Sequence, residues 1–209
     1  MAMASTQRTI PAKPPALKER ILNDEPVSFE EYLERDANDQ RRLEFYDGWI
    51  INVTGATLSH NLIVGNLPPL LEAGKSGCRA VSSDMQVAFG AERQYAYPDV
   101  VVYCGSPRLD NRSSGEVLMN PVCIGEVLSP STADYDRGEK FERYRQIDTL
   151  QTYIVVAQDA PHVTTWTRGK DNSWTLRDVT GLDASFSIDE LGVSIEMKQL
   201  YRDVFNVLP

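Results

Sequence analysis

An apolar run broken by a single carboxylate, Val122-Cys-Ile-Gly-Glu-Val-Leu128, constrains this chain more than any other stretch. So apolar a run reads as a buried strand. An unpaired carboxylate inside one costs several kcal/mol, so Glu126 needs a cation or a proton beside it. The run continues through a Ser/Pro/Thr loop into a helix expected from about Asp134 to Ile147. That helix carries Lys140 and, one turn later on the same face, Tyr144. A second acid, Asp99, stands in similar company in Tyr97-Pro-Asp-Val-Val-Val-Tyr103. Two acids on neighbouring core strands, overlooked by a lysine from the next helix, suit a hard divalent cation. Mg²⁺ or Mn²⁺ takes such all-oxygen ligands and fills its remaining positions with water.

The 209 residues and the 42% hydrophobic share predict one soluble domain over 27–209, preceded by a flexible arm over 1–26. The arm is polar, with three prolines between Pro11 and Pro15, and has at most a short turn near Leu17–Leu22. It has no apolar signal core, so a cytoplasmic location is expected. Cys78, Cys104 and Cys123 are odd in number and widely spaced, which predicts core thiols in a reducing compartment rather than a disulfide frame. His60 and His162 form no zinc-like spacing with them. The net charge of −9 runs against nucleic-acid binding by the surface as a whole. Such a role has to rest on a local basic face, for example Arg137, Lys140, Arg143 and Arg145, or on a metal that offsets the carboxylates.

Ser28-Phe-Glu-Glu31 is a capping box, predicting a helix to about Arg35. Arg41 to Val53 predicts a hairpin turning at Asp47-Gly48. Thr57 to Ala73 predicts a helix closed by Gly74, with Pro68-Pro69 inside it. Strands are expected over Cys78–Val81, Met85–Phe89, Tyr97–Tyr103 and Val122–Leu128, with a polar loop over Arg108–Glu116. Thr152–Gln158, Val163–Thr167, Trp174–Val179 and Ala184–Ser187 predict a β-meander, and Met197–Phe205 a closing helix. The class is α/β or α+β: a mixed sheet flanked by helices, with the meander added at the C-terminal end.

Asp99 and Glu126 are the candidate metal ligands, and pairing of each with a nearby arginine or lysine is the competing expectation. Lys140 would orient the attacking water or stabilise the charged phosphate, and Tyr144 would steady Lys140 or contact a phosphate. Glu44, just before the Asp47-Gly48 turn, is a candidate third acid, and an exposed strand glutamate is the competing expectation. His60, at the start of the long helix, is a candidate substrate contact or else a surface histidine. No phosphate-cradling glycine loop and no nucleophile-elbow serine occurs.

Taken together, Glu44-Phe-Tyr-Asp-Gly48, Ser59-His-Asn61, Tyr97-Pro-Asp-Val-Val101, Glu126-Val-Leu-Ser-Pro-Ser-Thr132 and Tyr135-Asp-Arg-Gly-Glu-Lys140 with Tyr144 resemble a widespread bacterial family of restriction-endonuclease-like proteins within the PD-(D/E)XK nuclease superfamily. The resemblance spans about Val27 to Phe205. It implies a restriction-endonuclease-like core, Asp99 and Glu126 as ligands of Mg²⁺ or Mn²⁺, and Glu44 in the superfamily's additional acid position. The superfamily motif places a lysine two residues after the glutamate, where this chain has Leu128. The resemblance implies that Lys140 takes its place. The expected function is metal-dependent hydrolysis of DNA phosphodiester bonds by a homodimer. The rivals are a nucleic-acid-binding or regulatory module that does not cut, and a metal phosphoesterase acting on a small substrate.

Overall fold

The computed structural model describes residue 13 and residues 15–53, 55–82, 84–90, 94–112, 115–129 and 136–205. The capping box forms as expected. Ser28 Oγ accepts from the Glu31 N–H at 3.2 Å, and the Ser28 N–H donates to Glu31 Oε2 at 2.8 Å. It opens helix α1 (Phe29–Asn38). The hairpin β1 (Leu43–Tyr46) and β2 (Trp49–Asn52) follows. Its turn places Asp47 at φ 47° and Gly48 at φ 87°, the left-handed pair that two-residue hairpins require. Helix α2 (Leu58–Glu72) begins at Thr57, whose hydroxyl accepts from the His60 N–H, and contains both prolines.

The remaining strands are β3 (Cys78–Ser82), β4 (Gln86–Phe89), β5 (Gln94–Ala96), β6 (Val100–Cys104), β7 (Leu109–Arg112), β8 (Gly115–Leu118), β9 (Cys123–Leu128), β10 (Thr152–Ala157), β11 (His162–Arg168), β12 (Trp174–Thr180), β13 (Ser185–Ile188) and β14 (Val193–Glu196). Between β9 and β10 lies α3 (Phe141–Tyr144), entered from a π turn over Asp136–Lys140. A short helix α4 (Met197–Leu200) follows β14. One six-stranded sheet runs β2-β1-β5-β4-β8-β7 and a second β12-β11-β10-β9-β6-β3; β13 and β14 pair separately. Both large sheets are mixed, each with one parallel pair: β4 with β8, and β9 with β10.

The strand alternation sorts the core. Cys123 and Val127 of β9 join the cluster that includes Leu67 and Leu71 of α2 and Ile195 of β14. Ile124 and Leu128 point the other way, into a cluster between the two large sheets that includes Tyr46, Phe89, Phe141, Tyr144 and Tyr153. A third cluster packs Tyr32 of α1 against Leu43, Phe45, Ile50 and Tyr95 on the far face of the first sheet. Glu126 shares the side of Ile124 and Leu128, so its carboxylate faces the inter-sheet core.

Several expectations need correction. The strand expected from Tyr97 starts only at Val100, because Gln94–Ala96 belongs to the other sheet and the chain crosses between sheets at Tyr97-Pro98-Asp99. The expected polar loop over Arg108–Glu116 contains the β7–β8 hairpin. Of the expected helix Asp134–Ile147, residues 134 and 135 lie outside the described residues. The rest is the π turn, which contains Gly138, and one turn of α-helix. The closing helix stops at Leu200, before Asp203 at φ 66°. The meander strands β10, β11 and β12 are part of the central sheet, while β13 pairs with β14. Within the expected arm a short turn forms, the 3₁₀ turn Pro15–Arg20; Leu17 is 3% exposed, and Ile21 bridges Ile51.

The cysteine expectation is also overturned for two of the three. Cys78 and Cys104 lie directly opposite on β3 and β6 and are joined by a disulfide, which their separation in sequence concealed. Cys123 is free and buried, and burial pushes its thiol well above the usual range. Denaturation without reductant is therefore expected to expose one thiol to Ellman's reagent, and denaturation with prior reduction three. Three thiols without reductant would remove the disulfide.

Candidate active site

Three elements deliver Glu126, Glu44 and Lys140 to one place. Glu126 is 3% exposed on β9, and its Oε1 lies 2.8 Å from Lys140 Nζ. The Tyr144 hydroxyl donates to the same oxygen at 3.0 Å. Lys140 closes the π turn and is 6% exposed, so it is not a solvated surface lysine. A charge-assisted contact this short in a dry surrounding holds both partners firmly. Leu128, at the superfamily lysine position, is instead 5% exposed in the inter-sheet core.

Glu44 of β1 is buried rather than an exposed strand glutamate. Its Oε1 accepts from the Tyr97 N–H at 3.0 Å, its Oε2 accepts from the Tyr46 hydroxyl at 3.0 Å, and Lys140 Nζ stands 4.0 Å from Oε1. The amine thus lies between two carboxylates carried by different sheets.

Asp99 sits at the crossing between the sheets. It immediately precedes β6, whose first residue, Val100, pairs with Gly125 of β9. Its Oδ2 accepts from the Val127 N–H at 2.8 Å and faces His60 Nε2 at 3.2 Å. Both contacts fall on Oδ2, so Oδ1 stays clear of them, and the side chain is 21% exposed. His60 is 12% exposed at its side chain, and its Nδ1 is buried with no partner among the described residues. Beside it Thr57 bonds Gln158, at the end of β10.

Tyr144 is fully buried, so it does not contact a phosphate. Its role is to hold Glu126, and its ring lies 5.9 Å from the Lys140 amine. Burial first, then the charges of Glu126 and Glu44, raises its hydroxyl pKa well above the usual range, which keeps it a donor. The expected basic face does not form. Lys140 is internal, Arg143 binds Gln94 beside Asp47, and Arg145 pairs with Glu142. Arg137 is exposed. Sequence reasoning missed the roles of Tyr46, Tyr97 and Gln158, and took Arg143 for basic surface. The first two act through an alternate-residue contact and a backbone N–H, and Gln158 meets its partner across a long sequence gap. Arg143 had a signal, its i+3 spacing from Lys140.

A model of the Uma2 family, described as "Putative restriction endonuclease", matches residues 29–198. The chain belongs to the Uma2 family. Among curated relatives, the uncharacterized protein sll1609 of Synechocystis sp. is 36% identical over 156 residues, covering 74% of this chain and 88% of that protein. The uncharacterized protein slr1290 of the same organism is 31% identical over 180 residues, covering 84% and 92%. The fold is similar to the crystal structure of "a putative nuclease belonging to DUF820" from Anabaena variabilis, with TM-score 0.68, 17% identity, and coverage of 86% of this chain and 99% of that one. The Uma2 stretch begins at the first residue of α1 and takes in every acid and lysine of the site.

Among the described residues no group of three or more His, Cys, Asp and Glu side chains is arranged to hold a metal. Mg²⁺ needs fewer protein ligands, because one or two carboxylates serve when water and substrate phosphate complete its shell. Asp99, which accepts from the Val127 N–H, and Glu126, the residue before Val127 on β9, fit that pattern. No helix of the described residues is long and apolar enough to cross a membrane.

Proposed function

We propose that this chain is a metal-dependent endonuclease that hydrolyses DNA phosphodiester bonds. The observation that carries the proposal is the Lys140 amine, 2.8 Å from Glu126 although Leu128 holds the motif position. An acid and an amine thereby stand together as phosphodiester hydrolysis needs them, with the lysine supplied by the crossover instead of the strand. Asp99 and Glu126 would hold Mg²⁺ or Mn²⁺, which supplies positive charge to phosphoryl oxygens as they gain charge. The Lys140 ammonium donates to a phosphate oxygen or orients the attacking water. Glu44, with Tyr46 behind it, holds that amine in place. Tyr144 fixes the Glu126 carboxylate, and His60 fixes Asp99 at the mouth of the site.

Nicking of supercoiled plasmid in Mg²⁺ and in Mn²⁺, with a chelator control, tests the proposal. Wild type is expected to nick only with metal, and Asp99→Asn to lose at least about 100-fold of the rate while keeping its melting temperature within a few degrees. Equal nicking by Asp99→Asn would falsify it, as would a wild type inert in both metals. The second proposal is a nucleic-acid-binding module of the same fold that does not cut. It is favoured by Leu128 standing where the nuclease motif has its lysine. It predicts DNA binding that survives Glu126→Gln, with no nicking by any variant.

A further inference from the structure

The segment that carries Lys140 has little rigidity of its own. α3 is four residues long and is entered through a five-residue π turn. Helices this short are marginal without tertiary support, so the lysine stands wherever the segment's side chains are gripped. Phe141 and Tyr144 grip the core: Phe141 stacks on Trp166 at 5.0 Å, and Tyr144 meets Phe89 edge-on at 5.4 Å. Those contacts fix the depth of the segment but not its placement along the facing hairpin.

Arg143 supplies that placement. Its Nη1 donates to Gln94 Oε1 at 2.9 Å and lies 3.6 Å from Asp47 Oδ2 at the hairpin tip. Gln94 in turn donates to Asp47. The guanidinium carbon sits 4.6 Å from the Tyr46 ring centre, and the Tyr46 hydroxyl bonds Glu44, beside which Lys140 Nζ stands at 4.0 Å. The contacts form a closed circuit: Lys140 to Glu44, Glu44 to Tyr46, Tyr46 to Arg143, and one helical turn back to Lys140. The Arg143 side chain is only 16% exposed, and its Nη1 is turned to the hairpin. A planar fork that bonds, stacks and pairs at once fixes geometry in a way that a lysine point charge does not.

We propose that Arg143 is a positioning residue that sets the Lys140 amine against Glu126 and Glu44 by clamping α3 to the β1–β2 hairpin tip. The activity consequence rests on the nuclease proposal; the clamp itself does not. Arg143→Met is expected to lower the kcat of metal-stimulated nicking about 10- to 100-fold, the scale of a misplacement near 1 Å, with KM for DNA changed less than twofold. Asp47→Asn is expected to follow it in direction. The double variant is expected to fall no further than Arg143→Met, and Arg143→Lys to recover part of the loss. Hydrogen exchange reads the clamp without activity: amides of 141–147 should exchange about tenfold faster in Arg143→Met, with β9 and β10 unchanged. Should Arg143→Met not fold, exchange in Asp47→Asn decides instead. Unchanged exchange over 141–147 overturns the clamp, whether or not the wild type cuts. A raised KM with unchanged kcat overturns it too, since Arg143 would then be a direct phosphate contact. A wild type that fails to nick while the exchange shift appears removes the nuclease proposal and leaves the clamp standing.

Discussion

Lys140→Met is expected to inactivate the protein and to destabilise it, and a second substitution should separate the two effects. The variant takes the amine away from two buried carboxylates, Glu126 at 2.8 Å and Glu44 at 4.0 Å. Removing one partner of a buried ion pair costs about 3–5 kcal/mol, because the remaining charge stays desolvated. For a chain of this size that corresponds to a fall in Tm of roughly 10 °C. Adding Glu126→Gln removes the nearer of the two stranded charges, so the double variant should regain part of the lost Tm while its nicking rate stays at background. Recovery without activity is the signature of an amine needed for chemistry over and above folding. A Lys140→Met protein that melts like wild type would mean the pair is not buried as described. One that nicks like wild type would leave the amine without a chemical role.

Gly74→Ala should give the largest stability loss away from the site. The chain after α2 runs so close to the segment before β14 that a Cβ at Gly74 would lie 2.3 Å from the Leu191 carbonyl oxygen and 2.6 Å from Val193 Cγ1. The Lys75 N–H donates to Leu191 O at 2.7 Å, which pins the approach. Backbone atoms cannot swing aside as a side chain tip can, so the methyl forces the two segments apart. Overpacking costs typically 1–3 kcal/mol and sometimes more. A loss of about 3 kcal/mol, near 10 °C in Tm, is expected by thermal melting. Nicking at low temperature should be unaffected, because Gly74 lies at the far end of α2 from His60. A melting temperature within 2 °C of wild type, on the same scale, would show that the segments separate freely.

What was legible in the sequence was charge in the wrong company. Glu126 among apolar neighbours and Asp99 before a valine run point to a site because a fold rarely buries an acid unless a nearby cation offsets the lost hydration. The lysine was legible through spacing and resemblance. The Asp47-Gly48 turn and the Ser28 capping box followed from local conformational preference, which acts over a few residues. What escaped was long-range: Tyr97-Pro98-Asp99 as a crossing between sheets, the β7–β8 hairpin in a polar stretch, and the Cys78–Cys104 bond. None leaves a local trace. Arg143 and Asp47 were each seen, one as basic surface and the other as a turn residue, and nothing in either stretch tells that they meet.

β9 and β10 lie side by side and run the same way, so the chain between them has to double back over the strand it has just left. Whatever that return passage carries arrives above Glu126, independent of the two-residue alternation that governs a strand. A strand lysine has one permissible address, whereas a lysine on the passage needs only to fall within a volume. A chain built on this layout can fill the core with a leucine at the strand position and still bring an ammonium to Glu126.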